Sequence, residues 1–424
     1  MQRITIGVTA VVVGTWVLGL ILSPPAWNGR GVVHELFFVT GTVAYAWMAL
    51  CMVIALRPAW LERVTKTPLD ELYRHHRWLG YGAVILSVLH WITKFWAPIF
   101  TQFMDLAPAG RPVPVPADGM LEAVWQALRL PAVVSSEVFT AAMVVLGVLS
   151  AWKAFPYGKW LKTHKLFAWL FIGLALHSVR LMETADFYLP YGWVNLAVTA
   201  VGCWASVKLL LQGPGTQKES KGAVREVSTH GRVTKVVIDS PIGKDLAPGQ
   251  FLFLKTGKES HPFSVAASTD TSVTFWIREL GDFTTGLAGK IRAGDVVKLE
   301  GPWGAFTPTL GEAPETWVAA GIGIAPFMSW LEEAVRTPHG PVTLFWCVRS
   351  REEEVLAPEV EALAKRAGVK IVIVESSKTG RLTPEQVGKE SSGTVAVCGS
   401  EGLTQTLRTT LGTRSVRSEA FDWR

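Results

Sequence analysis

His76 and His90 stand fourteen residues apart, and His164 and His177 thirteen apart, in stretches that are otherwise almost wholly apolar. "RHHRWLGYGAVILSVLHW" (Arg74–Trp91) carries the first pair and "THKLFAWLFIGLALHSVR" (Thr163–Arg180) the second. At ~1.5 Å per residue, the members of each pair lie ~20 Å apart along a helix. If both helices run the same way, His76 is level with His164 and His90 with His177. Two levels with two imidazoles each are what two stacked b-type haems require, one ring on each face of each iron. A lone histidine in an apolar helix would read as a packing residue; four at matched depths read as metal ligands. Fourteen residues bring His90 to within ~40° of His76 around the helix, whereas thirteen leave His177 ~140° from His164. The second pair therefore calls for a kink near Gly173 or a tilted upper haem. His75 competes with His76, at a spacing of fifteen.

With both axial positions filled, nothing else can bind such an iron, and an electron must leave at the haem edge. Lys94 lies one turn beyond His90, Arg180 three residues beyond His177, and His34 near the outer end of the preceding apolar segment. These are the candidate residues at the exit. A cationic rim there would attract an anionic product or chelate; the alternative is that Lys94 and Arg180 snorkel to lipid headgroups.

The elements that must hold these rings can be read from hydropathy. The chain has 424 residues, 49% of them hydrophobic, and the excess is confined to residues 1–211. A bilayer core of ~30 Å needs ~20 apolar residues as helix. Six candidate spans follow, about 4–22, 33–56, 78–100, 133–152, 165–182 and 191–211. The first could be a signal peptide, but its apolar run is long and "SPPAWNGRG" is a poor cleavage site; a retained helix is expected. The loops before the third and fifth spans hold nine Lys or Arg, and the other three loops hold four. The positive-inside rule then puts both termini in the cytoplasm, in an inner (plasma) membrane, with the proline-rich 101–132 segment outside. Net charge is +6. Much of that excess lies in those loops, so no nucleic acid is expected. The four cysteines show no metal-binding spacing.

"QGPGTQKESKG" (Gln212–Gly222) is a polar linker into a soluble half. "GRVTKVVID", "QFLFLKTG", "SVTFWIREL" and "DVVKLEGPWG" are short strand patterns with Gly turns, suggesting a small barrel. Within it, "HPFSVAAS" and "TFWIRELGDFTTGL" are where a flavin would sit. Pro262 and Phe263 would present an edge to the ring system, and His261 and Arg278 cationic donors to a pyrophosphate. Ser264, Thr284 and Thr285 would offer hydroxyls. "ETWVAAGIGIAPFMSWLEEAV" (Glu315–Val335) follows: a strand, a Gly-x-Gly turn, and a helix with Pro326 in its first turn. Gly321 and Gly323 let backbone N–H groups approach a phosphate at the helix N-terminus. The next strand ends at Arg349, Ser350 and Arg351, where a 2′-phosphate would be held, favouring NADPH. The strand–helix alternation reads as a parallel sheet. Phe421 or Trp423 in "SEAFDWR" could stack on the flavin.

Taken in order, the four histidines, "HPFS", "LGDFTTGL", "GPWG", "GIGIAP" and "VCGS" resemble the ferric reductase/NADPH oxidase superfamily, close to compact bacterial NADPH oxidases. The resemblance implies a six-helix transmembrane di-haem domain (1–211), a linker (212–222), an FAD-binding β-barrel (223–312) and an NADPH-binding α/β domain (313–424). The last two form a ferredoxin-NADP reductase-like module. It implies that His261–Ser264, Arg278 and Thr284 bind FAD. Gly321, Gly323, Pro326, Arg349 and Cys398–Ser400 (with Gly399 between) would serve the nicotinamide nucleotide. Phe421 or Trp423 would be the flavin-side aromatic. The expected cofactors are FAD, two haem b and NADPH, and the expected acceptor is dioxygen, giving superoxide, or a ferric chelate. Oxidases of this kind tend to carry an arginine at the outer end of the second span and a histidine one turn past the upper ligand of the third. Here His34 stands near the first level and Lys94 at the second. No obligatory protein partner is expected. A haem subunit feeding a periplasmic reductase, and a transporter with proton-carrying histidines, are the rival readings.

Overall fold

The computed structural model describes residues 2–25, 29–58, 60–103, 119–182, 184–215, 218–257, 259–390, 393–411 and 416–419. Phe421 and Trp423 lie outside the described residues. The chain divides into two compact units, one dominated by residues up to Pro214 and the other by Gly215–Asp422.

The first unit is helical: α1 Gln2–Leu22, α2 Gly29–Leu56, α3 Leu61–Thr65, α4 Leu69–Phe103, α5 Met120–Ala127, α6 Arg129–Ala151, α7 Tyr157–His164, α8 Leu166–Arg180 and α9 Pro190–Gln212. Its centre is a cluster that includes Tyr45, Met48, Met143, Leu146, Ala168 and Phe171. Phe171 is fully buried and stacks on Tyr45 with ring centres 4.6 Å apart. Gly202 on α9 makes room for it, since a Cβ there would meet the Phe171 ring at 2.1 Å.

Each of the six expected spans has a helix. Among the described residues, four helices are long and apolar enough to cross a membrane: Arg3–Leu22, Gly31–Leu56, Glu122–Ala151 and Pro190–Gln212. The two that fall short, α4 and α8, are the two that carry the paired histidines. Imidazoles lower the mean hydropathy of the helix that bears them, and α8 has only 15 residues. The expected fifth span, 165–182, is therefore shorter than a full crossing. The chain makes up the length with α7, which reaches the turn at Lys165 from the other side.

The second unit opens with seven strands: β1 Glu219–His230, β2 Val233–Asp239, β3 Phe251–Thr256, β4 Glu259–Ser264, β5 Ala267–Thr269, β6 Ser272–Arg278 and β7 Val296–Trp303. They form one antiparallel sheet in the order β4-β3-β7-β1-β2-β6-β5, with the four-residue helix α10 (Leu287–Lys290) before β7. Val236, Ile238, Leu252, Leu254, Phe275 and Leu299 fill its interior. β1 begins at Glu219, inside the segment expected to be linker. Its polar residues pair with β7 from Glu219↔Glu300 to Ala223↔Val296, so strand pairing overrides the loop-like composition.

The rest of the unit alternates strand and helix: β8 Glu315–Ala320, α11 Ala325–Arg336, β9 Val342–Val348, α12 Ala357–Ala367, β10 Lys370–Glu375, α13 Pro384–Glu390, β11 Thr394–Cys398, α14 Glu401–Thr410 and β12 Val416–Glu419. The strands are parallel, in the order β10-β9-β8-β11-β12. The order reverses between β8 and β11, and the crevice beyond their C-terminal ends is where such sheets bind ligands. The two sheets share a core: Val233, Trp276 and Phe306 cluster with Trp317, Phe327 and Trp330. Gly249, at φ +86°, lets the barrel close on α11, where its N–H donates to Ser329 Oγ at 2.8 Å.

Candidate functional site

The four histidines form two opposed pairs, with ring planes inclined by 62° in one and 90° in the other. Ring centres are 6.0 Å apart for His76 and His164, and 6.2 Å apart for His90 and His177. Two imidazole nitrogens bound at about 2.0 Å on opposite sides of one metal ion put ring centres roughly 6 Å apart. His76, rather than His75, lies against His164.

Three of the rings are held by their Nδ1 atoms. His90 Nδ1 lies 2.9 Å from the Phe37 carbonyl oxygen, His177 Nδ1 3.2 Å from that of Ala132, and His164 Nδ1 3.1 Å from Ser150 Oγ. A neutral imidazole that donates Nδ1–H to a carbonyl keeps its lone pair on Nε2, the usual tautomer and orientation of a metal-bound histidine. His76 Nδ1 is buried with no hydrogen-bond partner among the described residues. Gly41 lets the His90 ring reach α2, because a Cβ there would lie 2.9 Å from its Cε1 and Nδ1.

The angular mismatch of the second pair is resolved at Lys165, not near Gly173. α7 ends at His164 and α8 starts at Leu166. The Ala168 N–H reaches back only three residues, to the Lys165 carbonyl, at 3.2 Å. This tightened turn re-phases the helix between the two ligands. Gly173 stays inside α8, where its missing side chain admits the Phe139 ring.

At the His90/His177 end, both basic residues have partners within the chain. Lys94 Nζ sits 2.7 Å from both carboxylate oxygens of Glu137, and Trp91 Nε1 donates to the same carboxylate at 2.5 Å. Arg180 is buried, donating its Nε–H to the Trp125 carbonyl with its guanidinium 4.9 Å from that indole. His34 is exposed, beside Glu35 at 3.3 Å. Of the expected cationic rim, the lysine is paired with a carboxylate and the arginine is buried with its charge unpaired by any carboxylate among the described residues.

In the second unit, β4 places "HPFS" at an edge of the antiparallel sheet, with Pro262 and Phe263 half-buried opposite Phe253 and Leu252. The His261 ring stacks on Phe283 at 3.9 Å, and its Nε2 lies 3.1 Å from Glu259. Arg278 is in an ion pair with Glu354, 2.5 Å away in the loop after β9. Thr284 Oγ1 accepts from the N–H groups of Leu280 and Gly281, which fixes the loop's own turn; Thr285 is exposed beside it. Both expected cationic donors and two of the three hydroxyls, Thr284 and Ser264, thus already have partners within the chain. A bound pyrophosphate would have to compete with Glu259 and Glu354.

The crevice between β8 and β11 is built from glycines. Gly321 has φ +53°. A Cβ on Gly323 would lie 2.3 Å from the Cys398 carbonyl oxygen, and one on Gly399 would lie 2.9 Å from the Ala320 Cβ. Pro326 sits in the first turn of α11, and Ser400 caps α14, accepting from the Leu403 N–H. Of the two arginines after β9, Arg351 is held by Glu361 in two bonds of 2.7 and 2.6 Å, whereas Arg349 is exposed.

Sequence reasoning did not single out Glu419. It pairs with Cys398 in the β11–β12 register and accepts from Ser264 Oγ at 3.1 Å, joining the end of "HPFS" to the end of "VCGS". Its other oxygen is buried without a partner among the described residues. Burial lifts its carboxyl well above the ordinary value, and burial likewise raises the Cys398 thiol. A buried carboxyl with raised proton affinity, a thiol and a hydroxyl thus meet where the two sheets adjoin.

Residues 40–175 match the family model for the ferric reductase like transmembrane component, a match that ends two residues before His177. Residues 317–409 match the oxidoreductase NAD-binding domain. The chain belongs to the ferric reductase/NADPH oxidase superfamily. It is 28% identical over 222 residues to respiratory burst oxidase homolog protein D of Arabidopsis thaliana, covering 46% of this chain and 23% of that protein. It is 21% identical over 319 residues to ferric reduction oxidase 8, mitochondrial, of the same plant, covering 69% and 39%. It is 34% identical over 129 residues to the propane 2-monooxygenase reductase component of Mycolicibacterium goodii, covering 28% and 37%. The chain thus spans well under half the length of these relatives. Among solved structures, the FAD/NAD-binding domain of nitric oxide dioxygenase from Vibrio cholerae O1 biovar El Tor aligns at 22% identity and a TM-score of 0.41. That alignment covers 48% of this chain and 98% of that one. This superfamily member joins a helical unit bearing two histidine pairs to an antiparallel sheet and a parallel α/β domain that carries the NAD-binding match.

Proposed function

We propose that this chain is a membrane-spanning oxidoreductase that takes reducing equivalents from NADPH in the cytoplasm and passes them singly to dioxygen on the far side, releasing superoxide. The observation that carries the reading is the pair of histidine couples with ring centres 6.0 and 6.2 Å apart. His76 with His164, and His90 with His177, would each hold one b-type haem. FAD would lie against Pro262 and Phe263, and the nicotinamide nucleotide in the crevice between Gly321–Gly323 and Cys398–Ser400. When bound, FAD splits a hydride into single electrons and the haems carry them through the apolar layer.

The chain's own residues do the rest. Nδ1 contacts orient three of the four imidazoles, and each histidine pair would hold one haem, which would supply one-electron transfer. Ser264 and the buried Glu419 would exclude water where the nicotinamide must approach, and the raised proton affinity of Glu419 would help it hold a proton there. Arg349 would take a 2′-phosphate. Nine basic residues in two loops against four in the others support a plasma-membrane topology with both termini in the cytoplasm. A ferric-chelate reductase with the same electron path is the second reading, favoured by the alignment with ferric reduction oxidase 8 over 69% of the chain.

The test uses the purified chain. Two b-type haems per chain are expected, with NADPH consumption that needs oxygen and yields cytochrome c reduction sensitive to superoxide dismutase. A colourless preparation, or NADPH turnover on a ferric chelate with none on oxygen, overturns it.

A further inference from the structure

Two apolar segments each carry a single charged residue, and the two charges meet. From Trp78 to Phe103 the only one is Lys94; from Leu130 to Ala151 the only one is Glu137. An isolated charge in such a segment is costly, so these are rare and tend to be functional. Here they form a two-pronged ion pair, 2.7 Å to each oxygen, with Trp91 Nε1 as a third donor. The rings of Trp91 and Phe95 lie 4.6 and 5.0 Å from the ammonium and flank it. Location matters as much as pairing. Lys94 is one turn beyond His90, and Glu137 is five residues beyond Ala132, whose carbonyl holds His177. The pair therefore sits beside the two rings at the end where an acceptor must arrive. The other cation expected there, Arg180, is buried and turned to Trp125.

Resting on the function proposed above, we infer that Glu137 is the specificity-determining residue of the exit end. By neutralising Lys94 it weakens the positive field that would gather anionic chelates, leaving the charge of the buried Arg180 and of Arg129 near it, and so favours a small uncharged acceptor such as dioxygen. An unpaired lysine at the same place would draw anions, and would do so in a salt-dependent way. It would also favour the reduced state of the nearby iron, because a bare cation stabilises an added electron.

The experiment compares wild type, Glu137→Gln, Lys94→Gln and the double variant as full-length chains, with ferric citrate and dioxygen as acceptors and a redox titration of the haem absorbance. Glu137→Gln is expected to raise the ratio of kcat/KM for citrate over dioxygen on the order of tenfold at low salt. The gain should vanish at high salt, and the midpoint potential of one haem should rise. Lys94→Gln, which leaves the carboxylate alone, is expected to move both readouts the opposite way, and the double variant to return to wild type. A ratio and a potential unchanged in both single variants overturn the inference, as does a double variant that behaves like Glu137→Gln. If one single variant fails to assemble, the sign of the shift in the other decides. A wild-type chain without haem would instead overturn the underlying reading, and is told apart by its missing spectrum.

Discussion

Gly41→Ala is the sharpest test of how the His90 ring is held. Phe37 lies one turn before Gly41 on α2, and its carbonyl oxygen accepts from His90 Nδ1 at 2.9 Å. The ring comes that close because Gly41 has no side chain. An added Cβ would lie 2.9 Å from His90 Nδ1 and Cε1, whereas ordinary contacts begin at 3.4 Å, so the ring must retreat by about 0.5 Å. That stretches the Nδ1 bond beyond useful length. Losing such an outer partner typically weakens a metal site about 10–100-fold, or roughly 1.4–2.7 kcal/mol. The helix itself should gain, since alanine is better than glycine in a helix interior by about 0.5–1 kcal/mol. Unfolding therefore cannot mimic the effect. The assay is haem transfer from the purified chain to excess apomyoglobin. One of two release phases should accelerate about 10–100-fold while the other holds. Equal acceleration of both phases, or of neither, would refute the account of His90.

Two further outcomes are expected. Arg349→Ala should raise KM for NADPH by roughly tenfold or more and leave NADH unchanged, consistent with loss of a charge-assisted bond. Arg351→Ala should do little, because Glu361 already holds that guanidinium; steady-state kinetics with both nucleotides checks this. Glu419 offers a pH signature. Burial raises its folded-state value well above 4.5, so the folded chain binds a proton that the unfolded chain releases above that pH. Its contribution to stability is present below 4.5 and is lost as pH rises toward the folded value. Melting curves of the full chain between pH 5 and 8 should fall more steeply with pH for wild type than for Glu419→Gln. Parallel curves would show that this carboxyl is not held neutral.

The helical half and its paired histidines are legible because polarity is conspicuous in an apolar run. His76, His90, His164 and His177 stood out for that reason, and Glu137 carries the same signal. It was passed over because loop counting looks only for Lys and Arg. The soluble half was legible through Gly-x-Gly turns and β-periodicity, down to the crevice at Gly321 and Cys398. Competition between side chains was not legible. Nothing in one dimension says that Arg278 reaches Glu354, that Lys94 reaches Glu137, or that Arg180 turns to a backbone carbonyl. Glu419 has no sequence signal of its own, because its importance comes from the parallel pairing of β12 with β11. The start of β1 at Glu219 was hidden because its first residues are polar and are held by strand pairing.

The joint at Lys165 has a wider meaning for anyone searching genomes for such wires. On an unbroken rod, two grips that face the same way must be separated by close to a whole number of turns, which makes fourteen a natural interval and thirteen a poor one. Once the rod is hinged beside one grip, the interval is released from that arithmetic and either number serves. A pattern search that insists on equal gaps would discard true members, and one that tolerates a residue of slack only where a basic turn adjoins the ligand would keep them.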